Sequence, residues 1–91
     1  MTQVIKRGGK RQAFNPSKIR NAIKSAAKEA KLPRAKIQRL IKEVGDSVVD
    51  FYKKKRIVKS TVLRRSILRR LERKSKAVAS AWRRYERKKK R

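Results

Sequence analysis

Gly8-Gly9 stands among Lys6, Arg7, Lys10 and Arg11, with Lys18 a short way downstream. Backbone amides around a glycine pair can form a concavity that holds an oxyanion, and neighbouring ammonium and guanidinium groups add attraction. The cluster therefore suits a phosphate-bearing ligand; the plainer reading is a tight turn on a generally basic surface. A second cationic group runs through Arg64, Arg65, Arg69, Arg70, Arg73 and Lys74, and resumes at Arg83, Arg84, Arg87 and the closing Lys88 to Arg91. Positions 65, 69 and 73 share one stripe of a helix, where like charges repel and destabilise unless a polyanion relieves them. Arginine predominates there, which favours planar, forked contacts to phosphate. Glu43, Asp46 and Asp50 are three of the six acids and also share a helix face. They read first as partners of neighbouring lysines within the domain and second as a docking edge for the basic face of another copy.

No catalytic constellation is present. The chain has no cysteine and no histidine, which excludes Cys/His zinc sites, thiol chemistry and imidazole acid/base work. The hydroxyl side chains have no suitably spaced acid, so a non-enzymatic protein is expected. Thirty-two Lys and Arg against six Asp and Glu leave a formal charge of +26, and a polyanion is the expected partner. The longest apolar run is a handful of residues, so neither a transmembrane helix nor a secretory signal is expected. A cytoplasmic location without membrane contact follows as an expectation.

The elements that must position these groups follow from periodicity. Two short strands, 4–7 and 12–14, flank the glycine turn. Asn15-Pro16 reads as a helix N-cap with proline in the first helical position. Ile19, Ala22, Ile23, Ala26, Ala27 and Ala30 then mark one face of helix one, which Leu32-Pro33 breaks. Helix two covers about 34–54, with Ile37, Leu40, Ile41, Val44, Val48, Phe51 and Tyr52 inward. After a short β-branched stretch at 57–59, Ser60 or Thr61 caps helix three, whose inner side is Val62 or Leu63, then Ile67, Leu68 and Leu71. Ser75 caps a last helix with Ala77, Val78, Ala81, Trp82 and Tyr85 inward, and 86–91 forms a short basic tail. The expected fold is α+β, mainly α: a single domain over 1–91, with about four bundled helices and an N-terminal β-hairpin.

The run Val4-Ile5-Lys6-Arg7-Gly8-Gly9-Lys10-Arg11-Gln12-Ala13-Phe14-Asn15-Pro16-Ser17-Lys18-Ile19 resembles the opening of the ATP-cone domain, V-x-K-R-(D/N)-G-(R/K)-x-(E/V)-x-F-(D/N)-x-x-K-(I/L). That nucleotide-sensing module heads many ribonucleotide reductases and accompanies a zinc ribbon in their transcriptional repressors. Beyond about the first twenty residues the likeness lies in element order and in the aromatic close Trp82-Arg83-Arg84-Tyr85. The resemblance implies that 57–59 joins the hairpin in a three-stranded sheet. It also implies that the hairpin closes over ATP or dATP, with Lys6, Arg7, Gly9 and Lys18 as nucleotide-binding positions. Gly8 departs from the family's usual Asp or Asn.

Weighed against the charge, the expected function is sequence-nonspecific nucleic-acid binding as an architectural or nucleoid-associated protein. Lys10, Arg11, Arg64, Arg65, Arg69, Arg70, Arg73, Arg83, Arg84 and Arg87 are the expected phosphate contacts. DNA is favoured over RNA by analogy with the repressors. The alternatives are a ribosome-associated RNA-binding protein and a stand-alone ATP or dATP-binding regulator; self-association is left open.

Overall fold

The computed structural model describes residues 2–6 and 8–89. Strands β1 (Gln3–Ile5) and β2 (Arg11–Ala13) pair antiparallel with Val4 opposite Gln12. The turn between them is closed by the Lys6 amide donating to the Lys10 carbonyl at 2.7 Å and the Gly9 amide donating to the Lys6 carbonyl at 3.0 Å. Gly8 and Gly9 adopt φ of +89° and +84°, a region that side-chain-bearing residues enter only at a cost. Both strands lie about one residue earlier than periodicity suggests, so Phe14 leaves the sheet and packs against the core.

Helix α1 (Pro16–Glu29) begins as expected, with the Asn15 side chain accepting from the Lys18 amide. Ile19, Ile23, Ala26 and Ala27 are buried, and Ala22 and Ala30 are partly covered. The helix stops before Leu32-Pro33. Lys31 takes φ +61°, its amide donates to the Lys28 carbonyl at 2.9 Å, and the Leu32 amide donates to the Ala27 carbonyl at 3.2 Å. This is the paired closure that glycine usually supplies, made here by a lysine in the left-handed conformation.

Helix two is divided. Helix α2 (Arg34–Leu40) passes through a π-helical segment, Ile41–Gly45, into helix α3 (Asp46–Tyr52). A π turn is wider than an α turn, so residues beyond it lag around the axis. The lag turns Val44, Val48 and Tyr52 inward while Phe51 swings out to 50% exposure and Ile41 is only half-buried. This corrects the uniform face drawn from a straight helical period. Gly45 lies where α1 crosses, and a Cβ on it would stand 3.4 Å from Arg20 Cγ and 3.8 Å from Ile23 Cδ1.

Strand β3 (Ile57–Lys59) pairs parallel to β1, Val4 beside Val58, giving sheet order β2-β1-β3. Helix α4 (Ser60–Lys74) follows without a loop. Its N-cap is Lys59 and no side chain caps it, so neither Ser60 nor Thr61 takes that role. Leu63, not Val62, is the first inward residue, followed by Ile67 and Leu71, with Leu68 partly covered. Ser75 does cap helix α5 (Lys76–Lys89), accepting from the Val78 amide at 3.4 Å. Val78, Ala79, Ala81 and Trp82 are buried, Tyr85 is half-buried, and Ala77 faces solvent. Because α5 continues to Lys89, residues 86–89 are helix and not a tail.

The result is the expected α+β fold, four helical stretches packed beside a small mixed sheet. Its core is one cluster, in which α5 lies against α1 and α4. Ile23, Leu71, Val44, Val48 and Val78 are its largest fully buried side chains, each stabilising by about 1.5–3 kcal/mol relative to exposure. Among the described residues no helix is long and apolar enough to cross a membrane.

Candidate functional site

Two helices start directly from the sheet. The Asn15 cap starts α1 just after β2, whose last residue pairs with Gln3, and β3, whose last residue pairs with Ile5, runs straight into α4, so the two helices leave from opposite ends of β1. Each N-terminus carries partial positive charge from its unpaired amides. Neither helix has an acid in its first turn; Lys18 stands in that turn of α1, and Arg64 lies early in α4. The cations thus add to the helix fields, an arrangement that an anion would relieve.

Between the hairpin, α1, α4 and α5 lies a cleft of about 380 Å³, a size suited to a small ligand. Lys6 borders it from the hairpin turn and Gln12 from β2, Asn15 from the cap of α1, Lys18 and Ser25 from α1 itself, and Ser60 and Arg64 from α4. The rest of the lining is mainly apolar, the aliphatic Val4, Ile19, Leu63 and Ile67 with the aromatic Phe14, Trp82 and Tyr85, and Glu86 also borders it. Trp82 is 3% exposed and its indole N–H donates to Glu86 Oε1 at 2.6 Å. The Tyr85 ring lies 6.2 Å from that of Trp82, tilted by 38°. The cleft therefore offers cations that suit phosphate, apolar and aromatic surface that suits a planar ring, and a carboxylate able to accept from a hydroxyl or amino group.

The structure divides the sequence-predicted positions. Lys6 and Lys18 reach the cleft. Gly9 does not line it, and its amide is spent closing the turn on Lys6, so the glycine pair shapes the hairpin and that amide is not open to an anion. Arg7 lies outside the described residues. Arg64, expected on the nucleic-acid face, lines the cleft instead. Asn15, Phe14, Ser60, Tyr85 and Glu86 join it without having been predicted as ligand contacts; for Asn15 and Phe14 the signal was the F-(D/N) pair beside Lys18.

The other arginines also separate. Arg70 donates to Ser47 Oγ at 3.2 Å and to Ser66, and its guanidinium lies 5.8 Å from the centre of the exposed Phe51 ring. Arg83 pairs with Glu72 at 2.7 Å and Arg84 with Glu29 at 3.5 Å. Lys10, Arg11, Arg65, Arg69, Arg73 and Arg87 are exposed. The acids on the second helical stretch are all occupied: Glu43 by Lys74 at 2.9 Å, Asp46 by Arg20 at 3.2 Å and Asp50 by Lys53 at 3.1 Å. Pairing within the domain, the first of the two readings, is what the geometry shows. The hydrogen bond and charge of Lys74 hold the Glu43 carboxyl below the usual glutamate range. Among the described residues no group of acids could hold a metal ion.

A family model described as the ATP cone domain matches residues 2–91. No curated protein sequence matches the chain.

Proposed function

The chain belongs to the ATP cone domain family, a family of non-catalytic regulatory modules, and on that premise we propose that its cleft binds ATP or dATP as a regulatory ligand. The observation that carries this reading is convergence. Lys6 from the hairpin turn, Lys18 from the first turn of α1 and Arg64 from early in α4 line one cleft together with the aromatic rings of Phe14 and Tyr85. In this reading Lys18, Arg64 and the start of α4 meet the phosphates, and Tyr85 and Phe14 flank the base. Trp82 supports Glu86 from within the core. Gly8 takes no part beyond shaping the turn, so the family's Asp or Asn at that position is not needed for these contacts.

Isothermal calorimetry on two neighbouring substitutions tests the assignment. Arg64→Ala and Arg65→Ala remove the same charge from adjacent positions, but only Arg64 lines the cleft. Loss of a charge-assisted hydrogen bond is worth about 1.5–3 kcal/mol, so Arg64→Ala is expected to weaken ATP binding by about 10- to 100-fold. Arg65→Ala is expected to bind nearly as the parent does. Equal effects of the two substitutions would show attraction to the overall charge and overturn the reading.

A further inference from the structure

We propose that the outer face of α4 is a second binding surface, independent of the cleft, that lies along the sugar-phosphate backbone of a nucleic acid through Arg65, Arg69 and Arg73. These residues are exposed on the side of the helix away from Leu63, Ile67 and Leu71, whose burial fixes its rotation, and Arg69 and Arg73 reach the flank that faces Glu43 and Ser47. The helix cannot turn the three guanidinium groups away from one another without exposing its own core contacts. Successive members of the stripe are about 6 Å apart along the axis and span about 12 Å in all. Like charges at this spacing repel.

No acid pairs with them. Glu29, Glu43, Asp46, Asp50 and Glu72 each have another cationic partner, and Glu86 accepts from Trp82. These are all six acids of the chain. The nearest, Glu43, borders a shallow depression with Arg69 and Arg73, but its carboxylate is held by Lys74. Arg65, Arg69 and Arg73 make no ion pair or hydrogen bond among the described residues. The surface is thus a row of exposed arginines without an ion pair of their own, which distinguishes it from Arg70 on the same helix and from Arg83 and Arg84 on α5.

The form of the row selects the partner. A small anion needs enclosing donors, whereas a straight line of forks suits a ligand with phosphates in series. Insertion into a lipid surface needs an apolar stripe beside the cations. Val62 is the one large apolar residue on the exposed side of α4, and Phe51 lies under Arg70 and Lys55. Helix α4 contains no Asn or Gln, the side chains best suited to adenine edges, so contact through phosphate without base reading is expected.

The test is fluorescence anisotropy of labelled random-sequence duplex DNA and duplex RNA, with liposomes of anionic phospholipid as a third arm, across salt concentrations. The parent chain is compared with Arg65→Gln/Arg69→Gln/Arg73→Gln and with Lys24→Gln/Lys28→Gln/Lys36→Gln, which removes equal charge from exposed positions on α1 and α2. Each lost phosphate contact lowers the log-log salt slope on duplex DNA by about 0.9, so the stripe variant should lose about 2.7. Between 50 and 200 mM salt its affinity should then fall about 40-fold less steeply than the parent's. The lysine variant should keep nearly the parental slope, and all three proteins should show the same helical circular dichroism. Whichever duplex shows the stripe-dependent slope is the backbone recognised. Equal slopes in the two variants, or stripe-dependent binding to liposomes alone, would overturn the proposal. Because Arg64→Ala with ATP reports on the cleft and the stripe variant with duplex reports on α4, either site can fail while the other stands.

Discussion

Thr2 is the buried polar residue of the core, 4% exposed, and replacing it tests how β1 is held in place. Its hydroxyl lies 2.8 Å from the Tyr52 carbonyl and 2.5 Å from the Lys55 carbonyl, and one proton is shared between the two. The contact joins the start of β1 to the end of α3, while the Thr2 carbonyl accepts from Phe14 and the Arg56 carbonyl accepts from Gln3. Thr2→Val exchanges the hydroxyl for a methyl of similar size, so little packing is lost. Leaving a buried acceptor without a partner costs about 1–3 kcal/mol. Here the cost should lie toward the lower end, because the Tyr52 carbonyl also accepts from the Lys55 amide at 3.0 Å. The estimate is about 1–2 kcal/mol, which for a chain of this length lowers Tm by about 5–10 °C. Thermal unfolding followed at 222 nm measures it, with Thr2→Ser expected to recover most of the loss. A Tm for Thr2→Val within about 2 °C of the parent's would refute the reasoning.

Leu71→Ala, at 0% exposure, is expected to cost about 2–5 kcal/mol; Ile41→Ala, half-buried beside the π segment, should cost only about 1–2 kcal/mol by denaturant titration. Lys31→Gly relieves a left-handed backbone and should raise stability by about 0.5–1 kcal/mol after the greater freedom of glycine in the unfolded chain is counted. The depressed carboxyl of Glu43 contributes stability that is present above the ordinary glutamate range and lost as pH falls through its lowered folded value. Tm should therefore hold from neutral pH to about 5 and decline below about 4, less so in Glu43→Gln, as a pH series of thermal melts would show. The one tryptophan, Trp82, borders the cleft, so its emission should change on adding ATP and saturate with it.

What was legible in the sequence was local. Asn15-Pro16, the Gly8-Gly9 turn and the Ser75 cap each depend on a few adjacent residues and stand where the sequence placed them. The seam of α1 followed from periodicity alone. The π segment did not, because a widened turn has no strong residue signature, and it redirected Ile41 and Phe51. Ser60 and Thr61 looked like caps, but the strand leads so directly into α4 that Lys59 occupies the capping position. Arg64 and Arg65 are chemically identical neighbours, and only the packing of α4 against α5 and the π-helical segment sends one into the cleft and leaves the other exposed. Lys18 was readable through the family pattern, whereas Tyr85 and Glu86 depend on how α5 returns across α1. The pairing of the acids also required tertiary contacts, such as Glu43 with Lys74 and Glu29 with Arg84.

A built nucleotide site on a polycation is tested most directly by calorimetric titration with ATP and, in parallel, tripolyphosphate at moderate salt. Saturation near one ATP per chain is expected, with clear preference for ATP because Phe14 and Tyr85 contact its base, and with loss of that binding in Lys18→Ala. Tripolyphosphate binding as tightly as ATP, at several per chain and unchanged by Lys18→Ala, would contradict it.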